Sequence, residues 1–221
     1  MKNNEVWHLF DDTAHPPEEN MNIDIQLLAN AANLADVPLL RFYEWDRPAI
    51  SIGYVQKENA VRNAENYTIV KRPTGGGIVY HDTDFTYTVV VPQKHWIAKL
   101  DRVESYRVFH KAVVRALASF NLECTLVDTK QPKADRATMQ CFVTPTKYDV
   151  LCSNYQPGKT VKVAGSAQRR TRNGILHQGS ISLKPVGNNI DKLKTTLKSA
   201  FKNEFNISFN PYLFQREKRE T

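Results

Sequence analysis

The stretch KRPTGGGIVYHD, Lys71 to Asp82, sets three consecutive glycines directly before a β-branched and aromatic run, IVYHDTDFTYTVVVP, Ile78 to Pro92. The second half of the run, FTYTVVVP, reads as a strand stopped by Pro92. Glycine at the head of the run costs backbone entropy and gives a strand no side chain to pack. Two readings of Gly75, Gly76 and Gly77 follow. They form a bulge or tight turn at a strand end, or they let something approach the main chain so closely that no Cβ is tolerated. In the second reading the loop N–H groups make a concave anion-binding nest, and a ligand lies flat on the backbone. The stretch is not a Walker A loop, because no Gly-Lys-Ser/Thr follows. It is not a dinucleotide fingerprint either, since the spacing differs and a strand follows instead of a helix.

Outward from the glycines, the chain alternates between the two periodicities. On the N-terminal side a helical pattern runs through Ile23, Leu27, Leu28 and Ala32 until Pro38, and LLRFYEW, PAISIGYVQ (Pro48 to Gln56) and YTIVKR read as strands. On the C-terminal side Val103 to Phe120 places Tyr106, Phe109, Val113, Val114 and Leu117 on one helical face. LECTLVD follows as a strand. CFVTPTKYDVLCS and KTVKVAGSAQRR read as strands joined at NYQPGK, where Pro157-Gly158 signals a turn. GILHQGSISL is another strand and DKLKTTLKSAFKNEF a late amphipathic helix. Without regular βαβ alternation the pattern predicts α+β, a mainly antiparallel central sheet with flanking helices on one side, in a single domain over residues 1–221. Asp128 to Gln140 reads as a long polar loop within it.

At 221 residues, 41% hydrophobic and 24% charged, the chain has an ordinary globular composition. It carries no apolar run long enough to span a bilayer, and its start lacks the basic-then-apolar pattern of a secretory signal. Cys124, Cys141 and Cys152 have no metal-like spacing, which predicts reduced thiols in a cytoplasm and no metal site. The net charge of +7 reads as a solvated basic surface or as a docking face for an acidic partner. The basic residues gather at QRRTR (Gln168 to Arg172) and QREKRE (Gln215 to Glu220) without a zinc-finger or RNP-type motif, which points to a protein rather than nucleic acid.

A second stretch bears on the glycines. VKVAGSAQRR places one lysine, Lys162, on a strand beside Ala164, Gly165, Ser166 and Ala167. Beside small residues such a lysine either points to water or turns into a cleft, where it neutralises a carboxylate, phosphate or developing oxyanion. RPTGGGIVYHD, KVAGSAQRR and HQGSISL in that order, with WDRPAISIGYVQ (Trp45 to Gln56), resemble the catalytic domain shared by lipoate-protein ligases, octanoyltransferases and biotin-protein ligases. The resemblance implies that fold, with a tunnel for a medium-chain acyl group and transfer of that group to a lysine of a lipoyl domain. By resemblance Gly75, Gly76 and Gly77 lie along the acyl chain and its activated carboxyl. Arg72 and Lys162 hold the polar end, with Gly165, Ser166, Ala167 and Asp149 beside it. Tyr80, Trp45 and Tyr87 are candidates for the tunnel wall or for ordinary core aromatics. His81 either assists proton transfer or holds the loop by hydrogen bonds, and the structural role is favoured.

The family contains two chemistries. The segment CFVTPTKYD, Cys141 to Asp149, is similar to the Cys-Phe-x-x-Pro-x-x-Tyr-Glu signature of cysteine-dependent octanoyltransferases, with Asp149 for glutamate. It implies Cys141 as nucleophile and Lys162 as its catalytic partner, an acyl-carrier-protein thioester as donor and no cofactor. The acceptor would be a lipoyl domain, of glycine cleavage H protein or of a 2-oxoacid dehydrogenase E2. Where typical lipoate ligases have an Asn-Asp pair for ATP and magnesium, this chain has Tyr148-Asp149, and an accessory C-terminal domain of the ligases is expected to be absent. Against that, three glycines are more typical of ligases, whereas transferases read Gly-Gly-Arg. An ATP- and Mg-using ligase therefore stands as the alternative, and a non-catalytic acyl-binding or regulatory protein as the third reading.

Overall fold

The computed structural model describes residues 4–128 and 145–215. Its strands are β1 (Glu5–His15), β2 (Leu39–Trp45), β3 (Ala49–Ile52), β4 (Thr68–Lys71), β5 (Val79–His81), β6 (Asp84–Pro92), β7 (Cys124–Leu126), β8 (Val150–Gln156), β9 (Lys159–Thr171), β10 (Gly174–Ser182) and β11 (Ile207–Pro211). Its helices are α1 (Pro17–Ala29), α2 (Arg102–Ala118) and α3 (Ile190–Phe205). An eight-stranded sheet has the order β11-β1-β2-β6-β10-β9-β8-β7, and a three-stranded sheet the order β4-β3-β5. The class is α+β, and the main sheet is antiparallel from β2 through β7.

Three features depart from the sequence expectation. β1 runs parallel to both β2 and β11, which adds a parallel edge that the pattern did not signal. Its burial follows no clean alternation, because only Trp7 is fully buried. The segment after the glycines is two strands in two sheets: β5 pairs with β3, and the chain crosses at Asp82-Thr83 so that β6 pairs with β2 and β10. The helices cover both faces of the main sheet. Phe85, Tyr87, Val89 and Val91 of β6 join Phe109 and Leu117 of α2 and Leu197 and Phe201 of α3 in one core cluster. Val90, on the opposite face, packs with Ile23, Leu27 and Leu28 of α1 in another. β6 is buried along nearly its whole length, so both its faces need a cover. Each of these large apolar side chains contributes about 1.5–3 kcal/mol on burial.

The α1 face also buries charge. Arg41 of β2 is fully buried and donates to Asp24 Oδ1 at 2.7 Å, to Asn20 Oδ1 at 2.7 Å and to Asp12 Oδ2 at 2.8 Å. Asp24 Oδ2 accepts from Thr88 Oγ1 at 2.8 Å and Gln178 Nε2 at 2.7 Å. One buried polar network therefore joins β1, α1, β2, β6 and β10. A buried ion pair of this kind owes its place to satisfied hydrogen bonds rather than to Coulomb attraction alone. Among the described residues no helix is long and apolar enough to cross a membrane.

Candidate active site

The glycine loop joins β4 to β5 and is organised by Arg72, which is 5% exposed. Its Nε and Nη2 donate to the Gly75 carbonyl at 3.1 and 2.7 Å, and Nη2 also reaches the Gly77 carbonyl. Nη1 donates to the Ser51 carbonyl at 2.8 Å and to Ser51 Oγ at 3.0 Å. The guanidinium fork thus gathers carbonyls from the loop and from β3, a geometry that a point-charge lysine does not reproduce. Gly76 has φ +87°, in the left-handed region, and a Cβ there would stand 3.4 Å from Ala167 Cβ on β9. Thr74 Oγ1 donates to Gln178 Oε1 at 2.6 Å, which joins the loop to the buried Asp24–Arg41 network. Arg169, of the QRR run, donates to the Pro73 carbonyl at 3.3 Å.

The loop packs backbone to backbone against Gly53, just after β3. A Cβ on Gly53 would lie 2.5 Å from the Gly76 carbonyl oxygen, and that contact is to backbone. Gly53→Ala is expected to push the loop off β3. The expected cost is about 1–3 kcal/mol of stability together with about 100-fold in turnover, since a displacement near 1 Å costs that much in aligned sites. Thermal melting and a turnover assay on the same preparation check it. Normal values for both would mean that the contact is soft.

Lys162 and Asp149 meet across the hairpin. Lys162 Nζ lies 2.7 Å from Asp149 Oδ2, and both side chains are only 3% exposed. The β8–β9 register shifts here, with Val150 opposite Ala164 and Leu151 opposite Lys162. Such a bulge re-aims a side chain. Gly165 completes the fit, because a Cβ on it would fall 2.6 Å from Lys162 Cε and 2.7 Å from Nζ. Asp149 Oδ2 also accepts from Thr146 N at 2.6 Å and Thr146 Oγ1 at 2.9 Å. The preceding Tyr148 has φ +68°, uncommon for a residue with a side chain. Its carbonyl accepts from His110 Nδ1, and its hydroxyl donates to Glu104 at 3.0 Å. Since a carbonyl only accepts, His110 Nε2 is the acceptor for Ser166 Oγ at 2.8 Å. Burial lowers the His110 pKa, which agrees with a neutral ring.

Ser166 therefore points to α2, whereas Gly165 and Ala167 lie on the face that meets Lys162 and the glycine loop. His81 Nε2 meets Ser51 Oγ at 2.7 Å and Nδ1 meets Asp84 Oδ2 at 2.8 Å, while Trp45 stacks on the ring at 4.1 Å between centroids. The Asp84 carboxylate only accepts, so His81 Nδ1–H donates to it; in that neutral tautomer Nε2 accepts from Ser51 Oγ, which itself accepts from Arg72 Nη1. Tyr80 packs among Ile50, Ile52 and Ile78, and its hydroxyl donates to the Arg62 carbonyl at 2.7 Å. Tyr87 is 1% exposed on the α2/α3 face, beneath Gly179, and so is a core aromatic. Cys141 lies outside the described residues. Cys124 and Cys152 face each other across β7 and β8, and burial with its neighbour pushes the Cys124 thiol up to about 12.

Arg72, the three glycines, Gly165, Ala167, Lys162 and Asp149 thus come together around one region, with His81 bound to Arg72 through Ser51. Sequence reasoning did not single out Ser51, Thr74, Gln178 or Asp84. Thr74 and Gln178 lie inside RPTGGG and HQGSISL, so motif membership was their available signal. Asp84 is two residues past the His81-Asp82 pair and carried none. A cleft of about 290 Å³ adjoins the region, with Lys162, Ile78, Tyr80, Asp84 and, from the hairpin, Tyr155 and Gln156 on its walls.

The glycine loop clamped by Arg72 and the buried Lys162 lie within a catalytic domain of the lipoyl protein ligase type. Residues 16–210 match the lipoyl protein ligase A/B catalytic domain, and the chain belongs to that family. It is 34% identical over 189 residues to octanoyltransferase LipM of Geobacillus kaustophilus, covering 81% of this chain and 66% of that protein. It is 34% identical over 199 residues to octanoyltransferase LipM of Carboxydothermus hydrogenoformans, covering 88% and 70%. The chain spans about two thirds of the length of these curated relatives. Among solved structures it is similar to lipoate-protein ligase A bound with ATP, with TM-score 0.70, 18% identity and coverage of 95% and 90%. It is also similar to a bi-partite lipoate protein ligase from Thermoplasma acidophilum, with TM-score 0.65, 18% identity and coverage of 96% and 88%. At these identities the structural likeness speaks for the fold.

Proposed function

We propose that the chain transfers an octanoyl group from an acyl-carrier-protein thioester through Cys141 to a lysine of a lipoyl domain. The observation that carries the reading is the 34% identity to octanoyltransferases in a chain whose Lys162 is fixed by Asp149 on the glycine-loop face. In this reading the acyl group lies over Gly75–Gly77, and Lys162 Nζ donates to its carbonyl oxygen as negative charge develops there. The thiolate of Cys141 forms the C–S bond while the carrier thiolate leaves. The lysine of the lipoyl domain, of H protein or of a 2-oxoacid dehydrogenase E2, then forms the amide and releases Cys141. The basic chain suits acidic carrier and lipoyl domains, and the reaction belongs in the cytoplasm.

Intact-mass measurement with octanoyl-acyl carrier protein, without ATP, tests the reading. One added octanoyl group, absent from Cys141→Ala, is the expected result. Octanoylation of a lipoyl domain only when octanoate, ATP and magnesium are supplied would establish the ligase instead. No acylation under either condition would leave an acyl-binding protein.

A further inference from the structure

The long β8–β9 hairpin has a place in the chemistry. Tyr155 and Gln156 on it form one wall of the 290 Å³ cleft that reaches Lys162, and Asp84 stands on another. The Asp84 side chain is 3% exposed. Both of its donors, His81 Nδ1 and Ser180 Oγ, bond to Oδ2. Oδ1 is buried and has no partner among the described residues. A buried carboxylate oxygen left unsatisfied is costly, and in a native site it calls for a donor. Asp82 adds a second carboxylate to the cleft and Lys184 one cation, while Lys162 is already neutralised by Asp149, so the lining keeps a net negative charge. The site therefore suits a narrow cationic group that gives up a proton.

We propose that this cleft receives the primary ammonium of the acceptor lysine and that Asp84 Oδ1 takes its proton. The inference rests on the acyl-transfer reading above. The ammonium gives one proton to Asp84, which passes it to solvent. The amine nitrogen then forms the C–N bond at the carbonyl held by Lys162, and the C–S bond breaks. The second proton lost from nitrogen goes to the departing thiolate. Around Asp84 the other titratable or charged groups among the described residues are His81 and Tyr80 on β5, Asp82, Tyr43 on β2, Tyr155 on β8, Lys162 with Asp149, and Lys184 after β10. His81 is held by Ser51 and Trp45, and so orients Asp84 without needing to move.

Asp84→Asn tests it in octanoyl transfer to a lipoyl domain, with acyl loading measured separately. Loading and KM for the lipoyl domain are expected unchanged, and kcat is expected to fall about 100-fold near neutral pH, the usual worth of a positioned base. The variant's rate should then rise about tenfold per pH unit, because the lysine ammonium must lose its proton unaided and its ordinary pKa is about 10.4. Asp84→Glu is expected to restore part of the rate. A kcat within about threefold of wild type, or a loss that is flat in pH and shared by loading, overturns the proposal. If Asp84→Asn does not fold, n-butylamine against wild type decides. Competition with the lipoyl domain by n-butylamine and not by n-butanol supports the site, and no competition overturns it. A wild-type protein that transfers no acyl group overturns the acyl-transfer reading itself, and the proposal with it.

Discussion

Lys162→Met is expected to reduce octanoyl transfer by about 100- to 1000-fold, the usual cost of losing one preorganised donor to an oxyanion. The same change removes one partner of an ion pair whose side chains are each 3% exposed. Breaking a buried pair from one side costs about 3–5 kcal/mol, because the remaining charge stays buried. Thr146 N and Oγ1 still donate to Asp149, so the lower end is expected. For a domain of this size that corresponds to a melting-temperature loss of about 6–12 °C. The double variant Lys162→Met, Asp149→Val separates the two effects. It should recover most of the stability, since an apolar replacement of a buried pair is often neutral, while transfer stays low. If activity returned with stability, Lys162 would be a scaffold residue only.

Arg72→Lys carries the second large effect. Arg72 bonds to the carbonyls of Gly75, Gly77 and Ser51 and to Ser51 Oγ. Lysine brings one compact ammonium and cannot span that fork. Each carbonyl left unsatisfied in the interior costs about 1–3 kcal/mol, so a total loss of about 3–5 kcal/mol is expected by chemical denaturation. Turnover should fall by at least about 100-fold even where the protein remains folded, because the loop no longer holds its geometry. Ser51 Oγ would also lose its donor, so the ring and Asp84 would lose their orientation. Full activity in a measurably destabilised Arg72→Lys protein would show that the loop's position does not limit transfer.

Local pattern made much of this domain legible. The amphipathic spacing around Phe109, Val113 and Leu117 set α2, and LLRFYEW and GILHQGSISL, read as strands, are β2 and β10. The turn at Pro157-Gly158 is where it was expected, with Gly158 at φ +70°. The glycine run itself announced a special backbone, and Gly76 at φ +87° is one. These features depend on residues close in sequence, which is why the chain alone determined them.

What only the tertiary structure decided depends on contacts between distant segments. β1 and β11 exist because each pairs with a strand far along the chain, and their own alternation is weak. FTYTVVVP reads as a strand, but the separate short strand β5 before it, and its pairing in the other sheet, depend on β3. The direction of Lys162 is set by a register shift against β8 and by the bare backbone of Gly165, while Ser166 beside it turns to His110. The proton order through Arg72, Ser51, His81 and Asp84 joins four residues from three separate segments. Sequence determined which groups were available for chemistry. Packing decided which of them lost water, and a polar group that has lost water must find its partner in the fold.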